Sequence, residues 1–491
     1  MREKRLIPVS LVLCSAIAAV PQQSLAKKSD NNRRPNIILI NADDLGYGDP
    51  SCYGGKLIET PNIDRLAKEG IRCTDGYVSA PVSGVSRIGL LTGCYQQRFG
   101  MQWNHDQWGV PGLSDDIIPS SHREIHTAFK EAGYATAMTG KMGIKSLQKF
   151  DEMNACSFNG ANYFPNEEGV YAGVELEKGQ KKAKVNNDPM WGPERKGDEY
   201  LTDRHGRHCI EFIEEHKDEP FFFYLAFTAP HTPLHAKKSD QPRVAHIESE
   251  MAKLYAAMVL SVDDNIGLII DKLEKLKLRE NTIIVLLSDN GPANPFFLTT
   301  NPTWWPENTP PHILGQRGGL NGYKGTMWEA GIRVPYIISW KGKLAEGETY
   351  TEPVSTLDIY PTLCSAARVK VPDDTHLDGV DLMPFLTGGY DDAPHKALFW
   401  FANRMGAVRM GKWKLLIDDD YHYLFDLESD RGETKSVMKE NPELTHSLLK
   451  EYFNFRNQMP PYRNPFRRPI DLRSEEVRNV NAGDATVKIA R

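Results

Sequence analysis

The chain has 491 residues, a formal net charge of −6 and an apolar fraction of 40%. That length is ample for a large core and exceeds what one small domain needs. The mild acidity argues against nucleic-acid binding, and no internal stretch is apolar and long enough to span a membrane.

The N-terminus opens Met1-Arg2-Glu3-Lys4-Arg5, runs apolar from Leu6 to Val20 and reaches Ser24-Leu25-Ala26. A basic start, a short apolar run and a small-residue end predict a secretory signal peptide over 1–26, with the periplasm as destination. Cys14 falls inside it. The six remaining cysteines are widely spaced and form no metal-type CxxC pair; an exported chain permits disulfides whose pairing the spacing does not give, and mostly free, buried cysteines are at least an equal reading.

Pro35 to Ile40 is a continuous apolar run, the pattern of a strand covered on both faces, and it ends in Asn41-Ala42-Asp43-Asp44. Asn62 to Gly70 reads as an amphipathic helix, and a helix starting at Ser83 would place Arg87 one turn further on the same face. A helix over Ile125–Gly133 and a strand over Tyr134–Thr139 follow. Gln180 to Lys196 is polar and lysine-rich and reads as a solvated excursion. Pro220 to Phe227 is a third strand, ending in Thr228-Ala229-Pro230-His231. Glu248 to Lys277 is a long helix. Asn281 to Leu287 is a fourth strand, ending in Ser288-Asp289-Asn290-Gly291, and Pro292 to Gln316 is a long loop rich in Pro, Asn, Thr and Trp. Beyond Gly388-Gly389-Tyr390-Asp391-Asp392, four short strands between Ala397 and Asp426 and a helix over Glu440–Met459 suggest a small α+β unit. Strands alternating with helices predict an α/β fold with a largely parallel sheet.

Ligand sites in open α/β sheets form at the carboxyl ends of strands. Three of the predicted strands end in Asp43-Asp44, His231 and Asp289-Asn290. Three carboxylates and one amide oxygen form an all-oxygen set suited to a hard divalent ion, calcium fitting more easily than magnesium. One Asp after one strand is most often a turn or helix cap. Asp-Asp and Asp-Asn together, beside a Ser83/Arg87 helix start, reverse that weighting.

These segments, taken in order, resemble the type I sulfatases of the alkaline-phosphatase-like superfamily. The resemblance is carried by Pro35–Gly48, by Ala80-Pro81-Val82-Ser83-Gly84-Val85-Ser86-Arg87 through Thr92-Gly93, and by Thr139-Gly140-Lys141. Ser288-Asp289-Asn290-Gly291, Tyr323 to Pro335 and Tyr423 to Thr434 complete it. It implies a large mixed, mostly parallel sheet flanked by helices over 27–390, with a C-terminal α+β subdomain over 391–491. It further implies that Ser83 is oxidised to formylglycine, whose hydrated aldehyde attacks the sulfate ester. Asp43, Asp44, Asp289 and Asn290 would hold one divalent ion, with calcium expected. Arg87, Lys141 and Lys324 would neutralise developing charge, and His231, with Lys324, would protonate the leaving sugar oxygen.

Two residues depart from the pattern. Val85 stands where proline or alanine is usual, in the segment a maturase reads. The serine start implies a radical-type maturase as partner. Gly143 stands where a histidine normally contacts the formylglycine hydroxyl, so the base for sulfate release is left unassigned. Trp304, Trp305, Phe296 and Phe297 in the long loop are candidates to stack on a sugar, or anchors for the loop itself. Trp400, Asn403 and Arg404 are further candidates for the pocket rim. The substrate expected is a sulfated galactose or hexosamine of a glycosaminoglycan, mucin or algal glycan. Two other readings stand beside it: a phosphoester or phosphonate hydrolase of the same superfamily, and a non-catalytic binder of sulfated glycans.

Overall fold

The structure is a computed structural model that describes residues 33–104, 118–119, 121–143, 150–157, 161–168, 170–175, 190–192, 197–293, 314–373, 375–402, 404–418 and 421–461. The predicted signal peptide lies outside them. In chain order the strands are β1 (Asn36–Ala42), β2 (Ile71–Cys73), β3 (Gly76–Tyr77), β4 (Ala135–Lys141), β5 (Glu152–Ser157), β6 (Val174–Glu175), β7 (Met190–Gly192), β8 (Phe221–Ala226) and β9 (His235–Lys237). They continue with β10 (Thr282–Ser288), β11 (Tyr336–Ser339), β12 (Glu348–Tyr350), β13 (Val354–Ser355), β14 (Leu398–Ala402), β15 (Met405–Met410), β16 (Trp413–Asp418) and β17 (Tyr421–Asp426).

Nine strands form one sheet in the order β12-β2-β11-β10-β1-β8-β4-β5-β6. Its centre, β10-β1-β8-β4-β5, is parallel, and β11 runs antiparallel to both β10 and β2. Every residue of β1, β8 and β10 is buried, which explains why their sequences are unbroken apolar runs. Successive side chains still alternate between faces. Ile38, Ile40, Phe223, Leu225, Ile284 and Leu286 join one core, against α1 (Pro61–Lys68), α4 (Leu201–Glu215) and α5 (Glu250–Lys275). Ile37, Leu39, Phe222, Tyr224, Ile283 and Val285 join the other, against α2 (Ser83–Thr92), α3 (Ile125–Glu131) and the helix Ile359–Ala367. The result is a helix–sheet–helix sandwich with a mostly parallel sheet, as the sequence suggests.

Two sequence readings are corrected here. Met190–Gly192, inside the expected solvated excursion, is a strand paired in parallel with β9; the rest of that excursion lies outside the described residues. Helix α4 has no counterpart in the sequence reading, because Gly206 interrupts its pattern. That glycine is required by packing: a Cβ there would lie 1.9 Å from Asn265 Oδ1 on α5. The six cysteines are free, and all but Cys52 are buried. No helix among the described residues is long and apolar enough to cross a membrane.

Strands β14 to β17 form a four-stranded antiparallel sheet, backed by the helix Pro442–Arg456. Its other face packs Leu398, Trp400, Leu416 and Phe425 on Tyr77, Trp328 and Ile332. A buried ionic cluster pins this interface. Lys414, fully buried, sits 2.9 Å from Glu329 and 2.8 Å from Glu433. Arg333 bonds Glu329 at 3.0 Å and Asp75 at 2.5 Å, and Arg409 meets Asp75 at 2.6 Å. Burial would raise the Glu329 pKa, but Lys414, Arg333 and Arg409 prevail and hold it low. Glu433 is pushed up by burial, with only Lys414 as cation to counter it. Removing the lysine would leave two buried carboxylates facing each other. We expect Lys414→Met to cost about 3–5 kcal/mol in urea denaturation; a change below ~1 kcal/mol would show that the cluster does not lock the interface.

Candidate active site

The functional candidates gather where the parallel strands end. Backbone hydrogen bonds continue past the strand ends: Asp289 N donates to Ala42 O at 3.2 Å, and Asp43 N donates to Ala229 O at 3.2 Å. The loops after β1, β8 and β10 are thus held side by side, and Asp43, Asp44, His231, Asp289 and Asn290 converge on one point. Lys141 is the last residue of β4. Lys324 comes from a loop whose backbone is fixed at two places: Lys324 N donates to Pro292 O at 2.9 Å, and Gly325 N to Pro81 O at 2.8 Å.

Helix α2 begins at Ser83, and all ten of its residues are buried. Asn104 Oδ1 accepts from Gly84 N at 2.7 Å, occupying one of the free N–H groups of the first turn. The Ser83 hydroxyl lies 3.0 Å from Asn290 Oδ1 and 3.2 Å from Asp43 Oδ1. Asn290 Nδ2 donates to Asp44 Oδ1 at 2.7 Å and Gly291 O at 2.8 Å, which turns its oxygen toward Ser83.

Arg87 is on the expected face of α2 but does not meet Ser83. It is wholly buried; its Nε and Nη2 hold Asp289 Oδ2 at 3.0 and 2.7 Å, and its Nη1 donates to Lys141 O and the Tyr224 hydroxyl. Tyr224 accepts in turn from Asn41 Nδ2 at 3.1 Å. Lys141 Nζ sits 2.5 Å from Asp43 Oδ2, and Lys324 Nζ 2.6 Å from Asp44 Oδ1. Burial would raise the Asp43 pKa, but Lys141 prevails and the group lies at about 2. Asp44 is likewise held down, burial being outweighed by Lys324. Both are ionised at neutral pH.

His231 Nδ1 donates to Thr232 O at 2.6 Å, so Nε2 faces the site, 3.7 Å from Asp44 Oδ2. The Tyr163 hydroxyl fixes this turn, its one proton lying between Thr228 O and His231 O at 2.7 and 2.8 Å. Burial, then Lys141, lowers the imidazole pKa, although Asp43 and Asp44 oppose this. A bound anion would raise it again.

The donor set fits a hard divalent cation. One hydroxyl proton of Ser83 cannot serve Asp43 Oδ1 and Asn290 Oδ1 together, so one of the two oxygens has no proton to accept. Three carboxylates are matched by Arg87, Lys141 and Lys324. Adding a divalent cation would leave net positive charge, which suits an anionic substrate.

Gly143 has φ +73°, and a Cβ there would lie 2.9 Å from Arg87 Cδ. Backbone conformation and the neighbouring arginine both oppose a side chain at this position. Trp400 is 2% exposed and its Nε1 donates to Val78 O at 2.7 Å, so it belongs to the core and not to a rim. Arg404 is exposed between β14 and β15. Trp304, Trp305, Phe296, Phe297 and Asn403 lie outside the described residues. The sequence reading missed Asn104, Tyr163, Tyr224 and Asn41, whose roles depend on contacts between distant segments.

Residues 35–369 match the family described as Sulfatase, and residues 323–458 match the C-terminal family of N-sulphoglucosamine sulphohydrolase. The chain is 29% identical to an N-acetylgalactosamine-6-O-sulfatase of Bacteroides thetaiotaomicron, over 90% of this chain and 97% of that one. It is 31% identical to an arylsulfatase of Hemicentrotus pulcherrimus, over 80% and 69%. Among solved structures, that of Ps i-CgsB in complex with k-i-k-neocarrahexaose superposes with a TM-score of 0.73, at 31% identity, over 92% of this chain and 98% of that one.

Proposed function

The chain belongs to the sulfatase family, and from that premise we propose that it hydrolyses sulfate esters of a sulfated galactose or hexosamine, using formylglycine at position 83 and a calcium ion. As a member it is a sulfuric ester hydrolase, and the similar carbohydrate sulfatases support a glycan substrate. The observation that carries the finer reading is the convergence of the Ser83 hydroxyl on Asp43 Oδ1 and Asn290 Oδ1, flanked by Lys141, Lys324 and His231. The sugar class is supported by the hexosamine sulfatase and the neocarrahexaose complex among the similar proteins.

Formylglycine, as its hydrate, would supply one hydroxyl to attack sulfur and a second whose deprotonation would drive sulfate release. Asp43, Asp44, Asp289 and Asn290 would hold the calcium ion, which would supply Lewis-acid polarisation of the sulfate. The remaining work falls to this chain's own side chains. Arg87 fixes Asp289 and adds its charge from behind. Lys141 and Lys324, each on a short tether to a carboxylate, face the incoming anion and offset charge that grows during transfer. Substrate anion favours the charged imidazole of His231, whose Nε2 then delivers a proton to the leaving sugar oxygen. Gly143 provides no base, so water or His231 in its returning neutral form accepts the second proton.

Residues 1–26 direct export to the periplasm, a radical-type maturase converts Ser83, and the chemistry resides in 27–390 with 391–491 as the C-terminal subdomain. The test is sulfate release from a panel of sulfated galactose and hexosamine saccharides, with and without chelator. Chelator-sensitive release from at least one is expected. Release of phosphate from phosphate esters alone, or binding without turnover, would replace this reading by one of its rivals.

A further inference from the structure

One buried carboxylate near the cluster takes no part in the chemistry above. Asp49 is 4% exposed, and among the described residues no Lys, Arg or His pairs with it. It accepts three hydrogen bonds from neutral donors instead. Its Oδ2 takes Gly46 N at 2.7 Å and the Tyr255 hydroxyl at 2.5 Å; its Oδ1 takes Gln316 N at 2.7 Å. These donors come from three parts of the chain: the loop after β1, helix α5, and the segment that leads to Lys324. The first and third touch backbone to backbone. Gly48 N donates to Gln316 O at 2.7 Å, and a Cβ on Gly46 would lie 2.5 Å from that same oxygen.

Tyr255 extends the arrangement to the site. Its hydroxyl also lies 3.2 Å from the main-chain oxygen of Asp44. Asp44 has φ +65°, a left-handed conformation uncommon for a residue with a side chain. That conformation aims its carboxylate at Asn290 Nδ2 and Lys324 Nζ. A buried carboxyl without a cation is costly to ionise, and burial pushes Asp49 up to about 7 even though its three hydrogen bonds favour the charged form. Here they register the two segments that flank Asp44 and seat the Tyr255 ring beside the Asp44 peptide, while the single Tyr255 proton goes to Asp49.

We propose that Asp49 and Tyr255 are positioning residues of the divalent-ion site, setting its affinity by holding Asp44 in this conformation. The proposal rests on reading Asp43, Asp44, Asp289 and Asn290 as the ligands. Outer partners of metal ligands change affinity by about 10–100-fold when removed.

The test is calcium titration calorimetry on the chelator-stripped full chain, wild type beside Tyr255→Phe and Asp49→Asn, with melting curves and turnover measured against calcium concentration. Tyr255→Phe keeps the buried ring and removes only the hydroxyl, so it guards against the chance that Asp49→Asn does not fold. The expected result is a calcium dissociation constant raised about 10-fold or more, with kcat restored at saturating calcium. Unchanged calcium affinity in a folded Tyr255→Phe protein overturns the positioning role. So does a loss of kcat that added calcium does not restore. A wild-type protein that binds no calcium overturns the ligand reading itself and the positioning role with it, and is told apart because the variants then do not enter.

Discussion

Ser83→Ala is expected to lower sulfate release by roughly 10⁵-fold or more, the scale seen when the nucleophile of a covalent mechanism is removed. The cost to the fold should be small. Ser83 is buried at the first position of α2, and alanine keeps its volume apart from one hydroxyl. Among the described residues that hydroxyl meets Asp43 and Asn290, so its loss is worth about 1 kcal/mol. Turnover and stability should therefore separate cleanly. The paired measurement is the mass of the peptide carrying Ser83 from protein made in its own host. A mass two hydrogens below serine, or its hydrate, is expected in the wild type. A wild type that carries only serine would sink the formylglycine mechanism in that host, and so would a Ser83→Ala protein as active as the wild type.

His231→Ala should slow hydrolysis of a sugar sulfate by about 10²–10⁴-fold, while an aryl sulfate with an acidic phenol should lose far less. A sugar alkoxide is a poor leaving group and needs a proton as the S–O bond breaks; a stabilised phenolate does not. The geometry singles out this residue. Nδ1 is committed to Thr232 O at 2.6 Å, so the tautomer and ring plane are fixed and only Nε2 can act. Tyr163 holds the main chain of the same turn. Steady-state rates on the two substrate types decide the matter. Equal losses on both would mean that His231 supports the site without donating a proton, and Lys324 would then be the better candidate for that task.

The legible parts of this protein share one property: their cause lies within a few neighbouring residues. The fully buried strands show as apolar runs because both faces are covered by helices, so β1, β8 and β10 could be read directly. Asp43-Asp44 after β1, Asp289-Asn290 after β10, and Ser83 with Arg87 on one helical face, show because they are adjacent or one turn apart. Even the direction of the site, at the carboxyl ends of the strands, follows from the alternation of strand and helix.

Other features have causes distributed along the chain. Helix α4 carries Gly206 for the sake of Asn265 on another helix. Arg87 looked like a partner for Ser83, but Asp289, some two hundred residues away, takes its guanidinium. Trp400 looked like a rim residue because aromatic side chains serve cores and sugar pockets alike, and only its contact with Val78 distinguishes them. Asp49 sits in plain view after Gly46-Tyr47-Gly48, yet its role depends on Tyr255 and Gln316. The sequence by itself therefore determined the sheet, the family and the chemical types at the site. Tertiary structure alone decided which charges pair, because a buried charge takes its partner from whatever the fold brings within hydrogen-bonding distance, and not from its neighbours along the chain.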